Sequence, residues 1–213
     1  MTPTNKLFNK DHYLREFTAK VLKIAEKEIV LNRTAFYPES GGQAGDKGYL
    51  NKVKVIDTQI KNDIIYHFIE KEPGFKEGNI IRGEIDWKRR YKIMKLHTAS
   101  HIMEYFLWKN FGKIERTGSY VDASKDRADY LFEGRLEKNK LKQVESETNE
   151  FLQKGHPIII EEDEEKIRYW KCGPVEMLCA GTHVKNTVEI GKISLKRKNP
   201  GRGVERVETI LME

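Results

Sequence analysis

Alternation of apolar and polar positions dominates the first part of the chain. Residues 17–24 (FTAKVLKI) and 28–32 (EIVLN) predict a strand pair. A glycine-rich turn follows at Gly41, Gly42, Gly45 and Gly48. Residues 53–57 and 64–69 form another apolar pair with a polar link at 61–63, and residues 80–85 (IIRGEI) alternate as a strand does. Pro73, Gly74 and Gly78 punctuate the turn before that last strand. Short strands at close spacing predict a small β-barrel over residues 1–86.

At Trp87 the period changes. Tyr91, Met94, His97, His101 and Tyr105 fall at three- and four-residue steps, with Leu96, Met103 and Leu107 at seven and four beside them, which predicts a long buried helix over 87–110, ended by Gly112. Residues 115–121 and 128–133 read as strands. A second helix is predicted over 137–154, with Leu141, Val144, Thr148, Phe151 and Leu152 on one face and Gly155 as its stop. Ile158, Ile159 and Ile160 read as a short strand, and the acidic run 161–165 as a solvated helix start. Residues 192–195 and 204–211 read as closing strands around the turn Asn199-Pro200-Gly201. The expected class is α+β: an N-terminal domain over 1–86 and an α+β domain over 87–213.

Composition narrows the classes. With 38% hydrophobic and 10% aromatic residues among 213, the chain can bury a core, which argues against wholesale disorder. No apolar run approaches the roughly 18 residues of a membrane span, and the first ten residues lack the apolar stretch of a secretory signal. Two cysteines make no disulfide framework, so a cytoplasmic, reducing setting is expected. A net charge of +6 favours an anionic partner, nucleic acid first.

His97 and His101 stand at i and i+4, one helical turn apart on the same face. Cys179 and His183 form a second i, i+4 pair with Gly181 between them. Three imidazoles and a thiolate make a mixed shell suited to one tetrahedral Zn²⁺. A metalloprotease is disfavoured, because the position after the first histidine is Thr98 where a glutamate base is needed. A zinc finger is disfavoured by the long interval between the pairs. Cys172 reads as a buried structural thiol.

The segments around these pairs carry a resemblance. Residues 96–101 (LHTASH) resemble the HxxxH segment of the alanyl-tRNA synthetase editing domain, and residues 176–184 (EMLCAGTHV) its CxGTHV segment. Residues 33–48 (RTAFYPESGGQAGDKG) resemble the family's RTxFYxESGGQxGDxG stretch, and residues 55–59, 86–90 and 203–208 also fit, in order along nearly the whole chain. The length leaves no room for an aminoacylation domain and an anticodon-reading region beside the editing module. The chain is therefore identified as similar to the free-standing, medium-length AlaX family.

That resemblance implies a deacylase acting on mischarged alanine tRNA, chiefly its seryl ester, with the glycyl ester a further candidate. No membrane and no obligate protein partner are implied. It implies one zinc ion on His97, His101, Cys179 and His183. Ser100 is placed toward the pocket by its family counterpart. Residues 116–121 resemble a substrate-pocket strand that often begins with glutamine, here replaced by Arg116; that residue contacts the terminal phosphate or pairs with Asp129. Asp129 fits an RxD pattern and reads otherwise as a strand-surface salt bridge. Thr117 is the candidate partner for the serine hydroxyl, which a hydrophobic synthetic site cannot strongly reject. Gly41-Gly42-Gln43 resembles the GGQ loop of release factors, or is a tight turn needing positive φ. Lys88, Arg89 and Arg90, with Lys196, Arg197, Lys198 and Arg202, form candidate RNA contacts, or a lysine-guarded strand edge. Two alternatives stand beside this reading: editing of another aminoacyl-tRNA of the threonyl type, and a non-catalytic, zinc-stabilised RNA-binding module.

Overall fold

The computed structural model describes residues 2–212. The protein is mixed α+β, and the chain divides after Tyr91 into two compact units. In the first unit the strands are β1 (Asn5–Lys6), β2 (Glu16–Ala25), β3 (Glu28–Leu31), β4 (Arg33–Thr34), β5 (Gly48–Leu50), β6 (Val53–Lys61), β7 (Ile64–Ile69) and β8 (Ile80–Ile85). Six of them close on themselves in the order β2-β3-β7-β6-β5-β8, with every pairing antiparallel. Alternation does the sorting. Phe17, Ala19 and Val21 of β2 and Ile81 and Ile85 of β8 point inward, joining Leu31, Phe36, Leu50 and Val55.

The glycine-rich stretch is a packed turn. Ser40 and Gln43 exchange backbone hydrogen bonds of 3.2 and 2.9 Å, with Gly41 and Gly42 between them at φ 56° and 80°. Gly45 lies so close to the Thr58 carbonyl that a Cβ there would overlap it. Gln43 is fully buried.

Helix α1 (Trp87–Phe111) begins in the first unit and ends in the second. Its Arg90 is wholly buried and donates to both carboxylate oxygens of Asp46, to the Ala35 carbonyl at 2.7 Å and to the His12 carbonyl at 3.1 Å. Arg90 is therefore not an RNA contact, as its place in a basic run suggested. Its guanidinium is consumed in holding the start of the helix against the barrel turn.

The second unit contains β9 (Arg116–Val121), β10 (Asp126–Leu131), α2 (Lys138–Gln153), β11 (Ile159–Glu162), β12 (Arg168–Cys172), β13 (Val175–Leu178), β14 (Lys192–Gly201) and β15 (Val204–Met212). One sheet runs β14-β15-β10-β9 and another β11-β12-β13. Helix α2 buries Leu141, Val144, Thr148, Phe151 and Leu152. The acidic run is not a helix start. Glu161 and Glu162 pair with Tyr169 and Arg168 in the β11–β12 ladder, and Asp163 accepts from the amides of Glu165 and Ile167 to turn the chain. The β14–β15 hairpin is also longer than 192–195 suggested, because Lys196, Arg197 and Lys198 continue the ladder opposite Glu208, Val207 and Arg206.

Candidate metal centre

Most of the middle of α1 is buried. Ile93, Met94, Leu96, Ala99, Ile102 and Met103 are buried, and so are His97, Thr98, Ser100, His101 and Glu104. Buried polar groups need partners. Thr98 donates to the Met94 carbonyl at 2.8 Å, and Ser100 hydrogen-bonds Asp126. Glu104 receives the Arg116 guanidinium at 3.1 Å and the Tyr130 hydroxyl at 3.1 Å. Neither ring nitrogen of the buried His101 has a hydrogen-bond partner among the described residues.

The unsatisfied imidazole faces a cluster. One ligand atom from each of His97, His101, Cys179 and His183 lies within 4.8 Å of the other three. The Cys179 Sγ sits 3.5 Å from His97 Nε2 and 3.2 Å from His183 Nε2. Bonds of about 2.0–2.3 Å in a tetrahedron require edges of about 3.3–3.8 Å, so these two edges are near what one zinc ion needs. The donor set, three imidazoles and one thiol, has the borderline-soft character zinc prefers. The four residues fit the ion on geometry, chemistry and the orphaned nitrogens of His101.

Two elements deliver the four donors. Helix α1 presents the histidine pair by its own pitch. The other pair stands on the loop after β13, where the Cys179 amide donates to the Arg168 carbonyl at 3.0 Å and the Gly181 amide reaches the Cys179 sulfur at 3.4 Å. A capping box formed by Asn186 and Glu189 holds a single turn of 3₁₀ helix (Thr187–Glu189) beyond it. Trp170 of β12 is fully buried and lies with its ring centroid 4.9 Å from His101 and 5.7 Å from His183, walling the cluster on one side.

Electrostatics follow from burial. Desolvation, with the charges of His97 and Arg116, drives the His101 imidazolium well below its ordinary range, which leaves the ring neutral and able to ligate. Burial pushes the Cys179 thiol up, opposed by the Gly181 amide and by Arg168 and Arg116. Beside the cluster, burial raises Asp126 to about 7 despite its bond to Ser100, and raises Glu104 against the pull of Arg116 and Tyr130.

The remaining candidates divide. Ser100 and Arg116 belong to this buried polar group. Arg116 pairs with Glu104, not with Asp129, and its side chain is still 38% exposed. Asp129 is on the other face of its strand. Asp126, Ala128 and Tyr130 are buried on the α1 side, whereas Asp129 forms a two-point pair with Arg206 at 2.6 and 2.9 Å. Its alternation with Tyr130 removes it from the centre, and the salt-bridge reading holds. Thr117 is exposed, and its hydroxyl donates to the Asp129 carbonyl at 3.3 Å. Lys88, Lys196, Lys198 and Arg202 are exposed, whereas Arg89 donates to the Gly45 carbonyl at 2.8 Å and Arg197 to the Leu136 carbonyl at 2.6 Å. Glu104, Asp126 and Trp170 were missed from the sequence; the spacing of Glu104 three residues after His101 was the available signal for the first.

Comparison with known proteins places this architecture. Residues 5–89 match the family model described as tRNA synthetases class II (A), and residues 168–208 that of the threonyl and alanyl tRNA synthetase second additional domain. The chain is thus of the class that carries a synthetase-type appended domain beside a class II synthetase segment. It is 36% identical to the alanyl-tRNA editing protein AlaX-M of Pyrococcus horikoshii, across 96% of both chains. It is 39% identical to the alanine–tRNA ligase of Methanococcus vannielii and 35% identical to that of Sulfurisphaera tokodaii, covering 96% and 92% of this chain. It spans only 26% and 25% of those two ligases. The chain belongs to the AlaX-M family of alanyl-tRNA editing proteins. No helix among the described residues is long and apolar enough to cross a membrane.

Proposed function

We propose that the protein hydrolyses the aminoacyl ester of mischarged alanine tRNA in trans, chiefly the seryl ester and secondarily the glycyl ester. The observation that carries this reading is the convergence of His97, His101, Cys179 and His183 within 4.8 Å, in a chain that aligns over 96% of its length with an editing protein. The proposed cofactor is one zinc ion per chain on these four residues. Held there, zinc would supply electrophilic polarisation of an ester carbonyl or of a water.

The chain's own residues have separable tasks in this reading. Trp170 excludes water from one side of the centre and, with the buried helix, lowers its dielectric. Arg116 is held on its inner edge by Glu104, and its exposed remainder suits a phosphate or carbonyl oxygen of the acylated end. Ser100 and Asp126 form a buried pair next to His101. Thr117, exposed on β9, is retained as the partner for the substrate's serine hydroxyl.

In the proposed division of labour residues 1–86 form an accessory barrel domain and residues 87–213 the editing domain. Gly41 and Gly42, with little side chain of their own, form the tip of the turn offered to the RNA end; Gln43 is buried and serves the turn. The tRNA surface is assigned to Lys88, Lys196, Lys198 and Arg202, extended by a groove between α2 and β14 in which Lys138, Lys142 and Arg197 outnumber the single carboxylate of Glu145.

The test is a deacylation assay with seryl-, glycyl- and alanyl-esters on the same alanine tRNA. Hydrolysis of the seryl ester with the alanyl ester spared is expected. Equal hydrolysis of all three, or preference for a seryl ester on a threonine tRNA, would redirect the reading to another editing class.

A further inference from the structure

One buried hydroxyl joins the two halves of the cluster. Thr98 lies on α1 between His97 and His101 and is wholly inaccessible to solvent. Its Oγ1 stands 2.8 Å from the Met94 carbonyl, 3.1 Å from His183 Nδ1 and 3.4 Å from the Val184 amide nitrogen. A hydroxyl has one hydrogen to give and two lone pairs to receive with. The Met94 carbonyl can only accept, and the Val184 amide can only donate. The hydrogen of Thr98 therefore goes to Met94, and Oγ1 accepts from Val184.

The contact with His183 then has one polarity available. With its hydrogen committed, Oγ1 can only accept from Nδ1–H. A neutral imidazole carries a single N–H, so Nε2 is left as a bare lone pair. That nitrogen is the one 3.2 Å from the Cys179 sulfur, on the side where the ligand atoms converge. Were the hydroxyl rotated to donate to Nδ1, the hydrogen on Nε2 would point at the ligand centre and block it. His101 has no such partner on either nitrogen among the described residues, so the protein itself sets the tautomer of His183 and leaves that of His101 open.

We propose that Thr98 is a positioning residue that fixes His183 as its Nδ1–H tautomer and so aims Nε2 at the ligand centre. This rests on the zinc reading above, with Thr98 acting through His183 and not on substrate. The usual role of a helix threonine, bonding back to the carbonyl four residues earlier, is here what commits the hydroxyl hydrogen. Outer partners of this kind orient metal-binding histidines, and losing one weakens metal affinity by about 10–100-fold.

The experiment uses the full chain with ¹⁵N-labelled histidine, as wild type, Thr98→Val and Thr98→Ser. Three quantities are read: the ring ¹⁵N shifts of His183 in zinc-free protein, zinc affinity by competition with a chromophoric chelator, and the melting temperature. The wild type and Thr98→Ser should show Nδ1–H, while Thr98→Val should show mixed tautomers and zinc affinity lower by about 10–100-fold. A merely structural threonine would lower the melting temperature in Thr98→Val and leave the tautomer and the affinity unchanged, which would overturn the proposal. An Nε2–H ring in zinc-free wild type would also overturn it, and that measurement needs no variant to fold. Failure of the wild type to bind zinc would overturn the metal reading instead, while the tautomer readout still decides the role of Thr98.

Discussion

Arg90 and Asp46, 44 residues apart in the sequence, form an ion pair from which water is excluded on both sides. The carboxylate is further satisfied by the Tyr37 amide at 2.6 Å, and the guanidinium by two backbone carbonyls. Every nitrogen of the guanidinium and both oxygens of the carboxylate are hydrogen-bonded, which is the condition under which a buried pair can be tolerated. Removing one partner strands the other in an apolar surrounding. Arg90→Met should therefore cost about 3–5 kcal/mol of stability. Lys88→Met, two residues away and exposed, should change stability by less than about 0.5 kcal/mol. Denaturant unfolding of the two variants checks this, and equal losses would contradict it.

A second buried group makes the barrel sensitive to acid. His67 has no solvent exposure; its Nδ1–H donates to the Ile29 carbonyl at 3.0 Å, and Nε2 accepts from the Thr34 hydroxyl at 2.8 Å. Burial, outweighing the Ile29 bond, depresses its pKa from 6.5 to about 4. The unfolded chain thus takes up this proton more readily than the folded one. Stability is complete above pH 6.5 and is lost as pH falls from 6.5 toward 4, by roughly 3 kcal/mol for this group alone. His67→Gln, compared with wild type at pH 7.5 and pH 4.5, should lose less on acidification. An identical loss in both would show that His67 is not the source of the acid sensitivity.

Much of this was readable from local pattern, and the failures have identifiable causes. The α2 stripe of Leu141, Val144, Thr148, Phe151 and Leu152 was legible because helical period alone decides it. The four cluster residues were legible because two i, i+4 pairs carry their own geometry. Arg90 and Asp129 were misread for one reason: sequence neighbours do not reveal which partner lies across the fold. Arg90 stands in a basic run yet turns to Asp46, and Asp129 adjoins Tyr130 yet faces Arg206 on the opposite side of the sheet. Residues 161–165 were misread because acidic composition says nothing of the ladder with Tyr169 and Arg168. Asp126 gave no signal at all, since its importance comes from burial and Ser100.

Arg116 and Glu104 offer a test that separates stability from chemistry. Arg116→Ala leaves a carboxylate that is 2% exposed with the Tyr130 hydroxyl as its one remaining side-chain hydrogen-bond partner among the described residues. It should destabilise by about 1–3 kcal/mol and reduce deacylation. Adding Glu104→Gln removes the stranded charge, so the double variant should regain stability but not activity. Recovery of both would make the arginine a prop for the fold; recovery of neither would contradict the pairing.

The cysteine distinguishes a ligand from a bystander. Cys179→Ala deletes the only sulfur among the four cluster residues, and zinc bound per chain should fall well below one. Cys172→Ala, at a buried β12 position whose thiol is pushed up to about 11 by its surroundings, should leave zinc content unchanged. Mass spectrometry under native conditions reads both, and equal zinc content in the two variants would contradict the assignment.

In the proposed reaction, ester hydrolysis depends on a metal held by His97, His101, Cys179 and His183. The most direct measurement follows seryl-tRNA deacylation and circular dichroism in one sample while a chelator strips the metal and zinc is then restored. Loss of hydrolysis with the fold retained, and its return on adding zinc, is the predicted result. An undiminished rate in protein freed of metal would contradict it.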